Sequence, residues 1–213
     1  MFKAESLQKI IKFCVYLALI APLVYIPQTI YAAVFGKMIY FQIVIELALP
    51  FFLYLIIFYK RFRPKLDWLT KIILLFFAAI FLSSFLGSDF AKSFWGYDER
   101  MRGLFSLSHF LLLYFYIITC FRNAKDKKRL LIFTIFIAIL VSIFGIMERL
   151  NPTLRIDNVK TGAILGHRVS ATTGNPIFLG GYVLFTAFIS LYYLLRYKDW
   201  SKWVGLIGFS LSF

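Results

Sequence analysis

Leu130-Leu131-Ile132-Phe133-Thr134-Ile135-Phe136-Ile137-Ala138-Ile139-Leu140-Val141-Ser142-Ile143-Phe144-Gly145-Ile146-Met147 carries no charged residue. As a helix it would rise roughly 27 Å, close to the roughly 30 Å hydrocarbon core of a bilayer. Five more runs of this kind lie along the chain: Ile11–Tyr31, Ile39–Tyr59, Trp68–Leu86, Leu104–Phe121 and Ile177–Tyr197. A seventh begins near Trp203 and stops at Phe213 after about half the length a span needs. The 213 residues are 61% hydrophobic and 20% aromatic, with mean hydropathy +0.80, more apolar surface than a soluble domain can bury. The expectation is an all-α integral membrane protein, a polytopic bundle of about six complete transmembrane helices plus the start of a seventh. Residues 1–213 read as a single membrane domain, the N-terminal part of a longer protein.

The first run has no small-residue cleavage site after it, so it reads as a retained span. Cys14 and Cys120 each sit in or at the end of an apolar run, without the spacing of a disulfide framework or zinc site. No metal or cofactor is expected.

The net charge of +14 would suggest nucleic acid in a soluble protein. Here the cations cluster between apolar runs. With the N-terminus in the cytoplasm, the inner segments hold sixteen of the 24 Lys and Arg residues. Among them are Lys60, Arg61, Arg63 and Lys65, then Arg122, Lys125, Lys127, Lys128 and Arg129. This two-to-one bias predicts a cytoplasmic N-terminus, attraction to anionic membrane lipid and no nucleic-acid partner. The longer mixed-charge loops, Gly87–Gly103 and Glu148–Pro176, then lie outside, where recognition is expected.

The first of these loops contains Ser93-Phe94-Trp95-Gly96, then Asp98, Glu99, Arg100, Arg102 and Gly103. Trp95 and Tyr97 suit the membrane interface. Asp98 and Glu99 fall just before a helix N-terminus, where anions are favoured. Arg100 and Arg102 either pair with those acids or hold an anionic ligand.

The second loop carries Glu148, Arg149, Arg155, Asp157, Lys160, His167 and Arg168, then Ser170-Ala171-Thr172-Thr173-Gly174-Asn175-Pro176. Asn175 is a good N-cap, Pro176 suits the first helical position, and Gly180-Gly181 would permit close helix packing. Arginines bind phosphate bidentately. Thr172, Thr173 and the amides around Gly174 can add donors at a helix N-terminus.

Two ionisable groups fall inside spans. Glu46 lies near the middle of the second and needs a partner or a water-filled site. His109 lies in the fourth, as a packing or proton-relaying residue. With the outer cations they define an alternative function, a membrane transporter of an anion or small solute. A non-catalytic membrane partner is a third reading.

Two segments resemble the O-antigen ligase and polymerase superfamily. Ser93-Phe94-Trp95-Gly96 with Arg100 and Gly103 is similar to its S-F-W-G…R…G segment. Arg168 with Thr173-Gly174-Asn175-Pro176 and Gly180 is similar to its R-x-x-G-T-x-G-N-P-N-x-x-G segment. Ala171 stands where glycine is usual, and Ile177 where a second asparagine is usual. The resemblance implies a GT-C-like glycosyltransferase of the cytoplasmic membrane. Such an enzyme moves glycan from an undecaprenyl-pyrophosphate carrier to an acceptor at the outer face, without metal. It implies Arg168 and Arg100, with Thr172 and Thr173, at the pyrophosphate, and Trp95, Gly96, Gly103, Gly174, Asn175 and Pro176 as the structural motif. The family's catalytic histidine belongs to a large loop further along, which places it beyond residue 213. No catalytic residue is assigned within the chain.

Overall fold

The computed structural model describes residues 3–27, 33–97, 101–151, 169–197 and 202–211. All regular structure among them is helical: α1 Ala4–Leu19, α2 Phe35–Phe58, α3 Trp68–Leu86, α4 Phe90–Trp95, α5 Leu104–Cys120, α6 Ala124–Leu150, α7 Pro176–Arg196 and α8 Lys202–Ser210. Short 3-10 turns occupy Ala21–Leu23, Lys60–Phe62 and Ala171–Thr173. Five stretches are long and apolar enough to cross a membrane: Ala4–Leu23, Phe35–Phe58, Trp68–Leu86, Ala124–Leu150 and Pro176–Arg196. That is the pattern of a multi-pass membrane protein.

Of the six expected spans only Trp68–Leu86 keeps its bounds; α6 begins six residues earlier than expected, and the first and fourth spans change in kind. The first starts already at Ala4, and its α-helix stops at Leu19. Pro22 has no N–H to donate and disfavours helix in the residue before it, so the chain tightens into the turn Ala21–Leu23. Residues 28–32 lie outside the described residues. The run expected as a complete fourth span forms α5, only 17 residues long and about 25 Å in rise. The next residue but one after α5, Arg122, donates to the carbonyls of Arg61 and Arg63. Those bonds draw the chain out of the helix before α6 begins. The seventh run forms the nine-residue α8.

The chain packs as two compact units. The first comprises Met1–Ala18 and Met38–Arg122. Its buried positions include Leu7, Ile11 and Val15 of α1, Ile45 and Leu55 of α2, and Tyr116 of α5. The phenol of Tyr116 donates to the Ile45 carbonyl at 3.0 Å, and its ring packs on Phe52. Pro50 lies inside α2, so the Glu46 carbonyl four residues back receives no helical N–H from it. Asp67 caps α3 by accepting from the Thr70 amide at 2.8 Å. Only 11% of the α3 span is buried, and Thr70 is its one fully enclosed residue. The Thr70 hydroxyl lies 2.7 Å from that of Tyr114 on α5.

The second unit comprises Leu19–Lys37 and Asn123–Phe213. Here α6, α7 and α8 pack on one another. The contact with α8 relies on small residues. A Cβ on Gly208 would come within 2.5 Å of the Ile135 side chain and 2.8 Å of the Ser190 hydroxyl. A Cβ on Gly205 would meet the Ser190 carbonyl at 3.0 Å. Close helix approach of this kind is a main source of association within lipid. The expectation attached to Gly180-Gly181 is not met among the described residues: none of them lies within 4 Å of a Cβ at either position, and both glycines are exposed. Gly208→Ala is therefore expected to destabilise by roughly 1–3 kcal/mol through overpacking, and Gly180→Ala to be tolerated. Thermal unfolding of the two variants in detergent checks this, and equal midpoints would rule out the close seating of α8.

Candidate functional site

The segment leading into α7 is built from two left-handed residues and a cap. Ala171 has φ +47° and Gly174 φ +75°. Only glycine adopts this region without cost; for another residue it costs roughly 1–2 kcal/mol. The Asn175 side chain accepts from the Ile177 amide at 2.8 Å, with Pro176 opening the helix. The expected N-cap is thus present. Ile177 itself is exposed.

What holds the turn is Glu148, near the end of α6 and only 3% exposed. Its carboxylate accepts from the Ala171 amide at 2.6 Å, from the Ser170 amide at 3.2 Å and from the Ser170 hydroxyl at 3.4 Å. Successive backbone amides around a left-handed residue form a concavity suited to an anion. Here the chain's own carboxylate fills it. Thr172 donates to the Pro22 carbonyl at 2.7 Å, and Thr173 to the Ser170 carbonyl at 2.7 Å. Lys37 donates to the Thr172 carbonyl at 2.6 Å. Both threonine hydroxyl protons are committed to the main chain in this arrangement. Gly145 of α6 faces the turn, and a Cβ there would meet the Val169 side chain at 3.3 Å. Arg168, with His167, Arg155, Asp157 and Lys160, lies outside the described residues.

The other motif segment belongs to the first unit. Asp89 caps the short helix α4, accepting from the Lys92 amide at 2.9 Å. Gly96 ends it with φ +80°. The backbones of Gly96 and Gly103 press together: a Cβ on Gly96 would fall 2.6 Å from the Gly103 nitrogen, and one on Gly103 would strike the Phe94 carbonyl. Both motif glycines are thus required by a backbone crossing. Trp95 packs against Phe105 of α5, centroids 5.1 Å apart. Beside this corner is a cleft of about 850 Å³ lined by Ser88, Asp89, Lys92, Ser93, Gly96, Tyr97 and Arg102. Lys92 lies 4.5 Å from the Tyr97 ring centroid. The hydrogen bond with Tyr97 raises its pKa, so it stays cationic across the physiological range. Asp98, Glu99 and Arg100 lie outside the described residues.

The two groups expected inside spans meet. His109 Nε2 is 3.1 Å from Glu46 Oε1, and His109 Nδ1 is 2.7 Å from the Phe105 carbonyl. His109 is enclosed, at 3%, whereas the Glu46 side chain is 53% exposed. Among the described residues no group of three His, Cys, Asp or Glu side chains is arranged to hold a metal.

No family model matches the chain, nor does any curated protein or solved structure. The site therefore rests on its own geometry. That geometry adds Glu148, which the sequence placed merely among the loop charges. A carboxylate one turn after Gly145, at the end of an apolar run, was the available signal. Glu148→Gln puts an amide donor against backbone donors, and a loss of about 2 kcal/mol is expected. Hydrogen exchange checks it: the Ser170 and Ala171 amides should lose protection, and unchanged exchange there would sink the anchoring role.

Proposed function

We propose that the chain is part of a glycosyltransferase of the O-antigen ligase type, which takes glycan from an undecaprenyl-pyrophosphate carrier. Transfer takes place at the outer face of the cytoplasmic membrane, with the N-terminus inside. The observation that carries the reading is the Glu148-anchored turn at the start of α7. It fixes the chain two residues after Arg168, in the segment that carries the more specific of the two sequence motifs. The clasp of Gly96 and Gly103 supports it by giving the other motif's glycines a physical reason.

In this reading Arg168 neutralises the pyrophosphate. Thr172 and Thr173 shape the turn that presents Arg168, and Glu148 keeps that turn rigid. Pyrophosphate is a competent leaving group, so charge neutralisation by arginine and one general base acting on the acceptor hydroxyl are sufficient machinery. The base belongs to a part of the protein other than these residues.

The test is transfer of labelled glycan from the lipid carrier in proteoliposomes, using the protein that carries this chain. Arg168→Ala is expected to lower transfer by roughly 100-fold or more while leaving membrane insertion intact. Normal transfer by that variant would remove Arg168 from the site.

A further inference from the structure

The loop between α2 and α3 joins two of the membrane-spanning stretches, so it lies at a membrane–water boundary. It runs from Tyr59 to Asp67 and carries the cations Lys60, Arg61, Arg63 and Lys65. Its one acid, Asp67, is spent on the Thr70 amide as the cap of α3. A run of this composition attracts anionic lipid in a general way. The fold arranges these charges more specifically.

Arg122, just past the end of α5, reaches across to this loop. It donates through Nη1 to the Arg61 carbonyl and through Nη2 to the Arg63 carbonyl at 2.9 Å. Those bonds use two of the five N–H groups that a guanidinium carries. Arg63 Nε donates in turn to the Ile56 carbonyl at 3.2 Å, near the end of α2. The loop is thereby tied to the ends of both α2 and α5, all within the first unit. Phe62 fills the turn and is buried. The guanidinium carbon of Arg61 lies 4.7 Å from its ring centroid, and that of Arg122 lies 6.0 Å from it. Two permanently charged groups, from distant parts of the sequence, thus sit beside one buried ring. Among the described residues no carboxylate pairs with either, and the Arg61 side chain donates no hydrogen bond. Both side chains are exposed.

We propose that Arg61 and Arg122 hold the headgroup phosphate of one anionic phospholipid, whose acyl chains lie along α3. A guanidinium fork matches phosphate oxygens, whereas lysine offers only a point charge. The Phe62 ring and the two carbonyl bonds place the charges in advance, which lowers the ordering cost of binding. The apolar part of the ligand has a matching surface. Trp68, Ile72, Leu75 and Phe76 follow the spacing of one helix face, and all four are exposed. From Trp68 to Phe76 the helix rises roughly 12 Å, comparable with half the hydrocarbon thickness, about 15 Å. This face opens directly from the loop, because α3 begins at Trp68. A free phosphate would use the arginines alone; a phospholipid uses the arginines and this face together. The seat stands on these contacts whether or not the chain takes part in glycosyl transfer.

Native mass spectrometry of the full chain in a neutral detergent counts bound lipids. With phosphatidylglycerol and phosphatidylcholine supplied together, retention of one phosphatidylglycerol is expected, with a preference of roughly tenfold. R61Q is expected to lower that retention by about tenfold, the effect of losing one charged hydrogen-bonding group. That variant keeps the main-chain carbonyl to which Arg122 donates, so the anchor of the loop survives the substitution. K65Q removes a charge from the same loop and is expected to retain the lipid. R61K keeps the charge without the fork, and retention below that of the unaltered chain is expected. Equal losses in R61Q and K65Q would mean diffuse attraction and overturn the proposal, as would full retention by R61Q or R61K. Excess inorganic phosphate is expected to leave the lipid in place; its displacement would give the site to a free anion and overturn the lipid assignment.

Discussion

Within a membrane every backbone N–H and C=O must find a partner inside the protein, because lipid offers none. Regular helix meets this demand by itself, and all regular structure among the described residues is helix. Where the chain leaves helical geometry, side chains take over. Glu148 accepts from the Ser170 and Ala171 amides. Thr172 serves the Pro22 carbonyl, and Lys37 serves that of Thr172. Arg122 serves the carbonyls beside the Lys60–Phe62 turn. At these places a side chain stands in for a missing main-chain bond.

That division explains what was legible in the sequence. Local chemistry was. Unbroken apolar runs mark the helices and Asn175-Pro176 marks the start of α7, whereas the close backbone approach at Gly96 and Gly103 is seen only in the structure. Interactions between distant positions were not. Nothing in the sequence near Glu148 says that it binds amides 22 and 23 residues away. Glu46 advertised the need for a partner, and His109 was present, but their meeting depends on how α2 and α5 align. The glycines show the same limit. Gly180-Gly181 has the composition of a packing site but no close neighbour among the described residues, whereas Gly205 and Gly208 form the close contact. Small residues permit approach; which helix approaches is decided by packing.

The turn before α7 also carries a strained residue. Ala171 is not glycine, yet its backbone is left-handed. Its methyl group is buried, so the strained conformation is held by packing and by the 2.6 Å bond from its amide to Glu148. The strain of roughly 1–2 kcal/mol is comparable with what one such charged hydrogen bond contributes. Strain and restraint coincide in the segment to which a ligand-binding role is assigned, and a rigid support is what a positioned cation requires.

The sparse burial of α3 has a consequence for how this protein can change over time. With Thr70 as its one enclosed residue, the helix carries a composition more than a sequence. Most of its positions touch little else among the described residues, and where lipid surrounds them any apolar side chain of fair helix propensity suffices. Substitutions there should accumulate almost neutrally, while Thr70 and its partner Tyr114 change together or not at all. In a set of related sequences α3 would look like noise punctuated by one covarying pair, and a comparison weighted by identity would miss it.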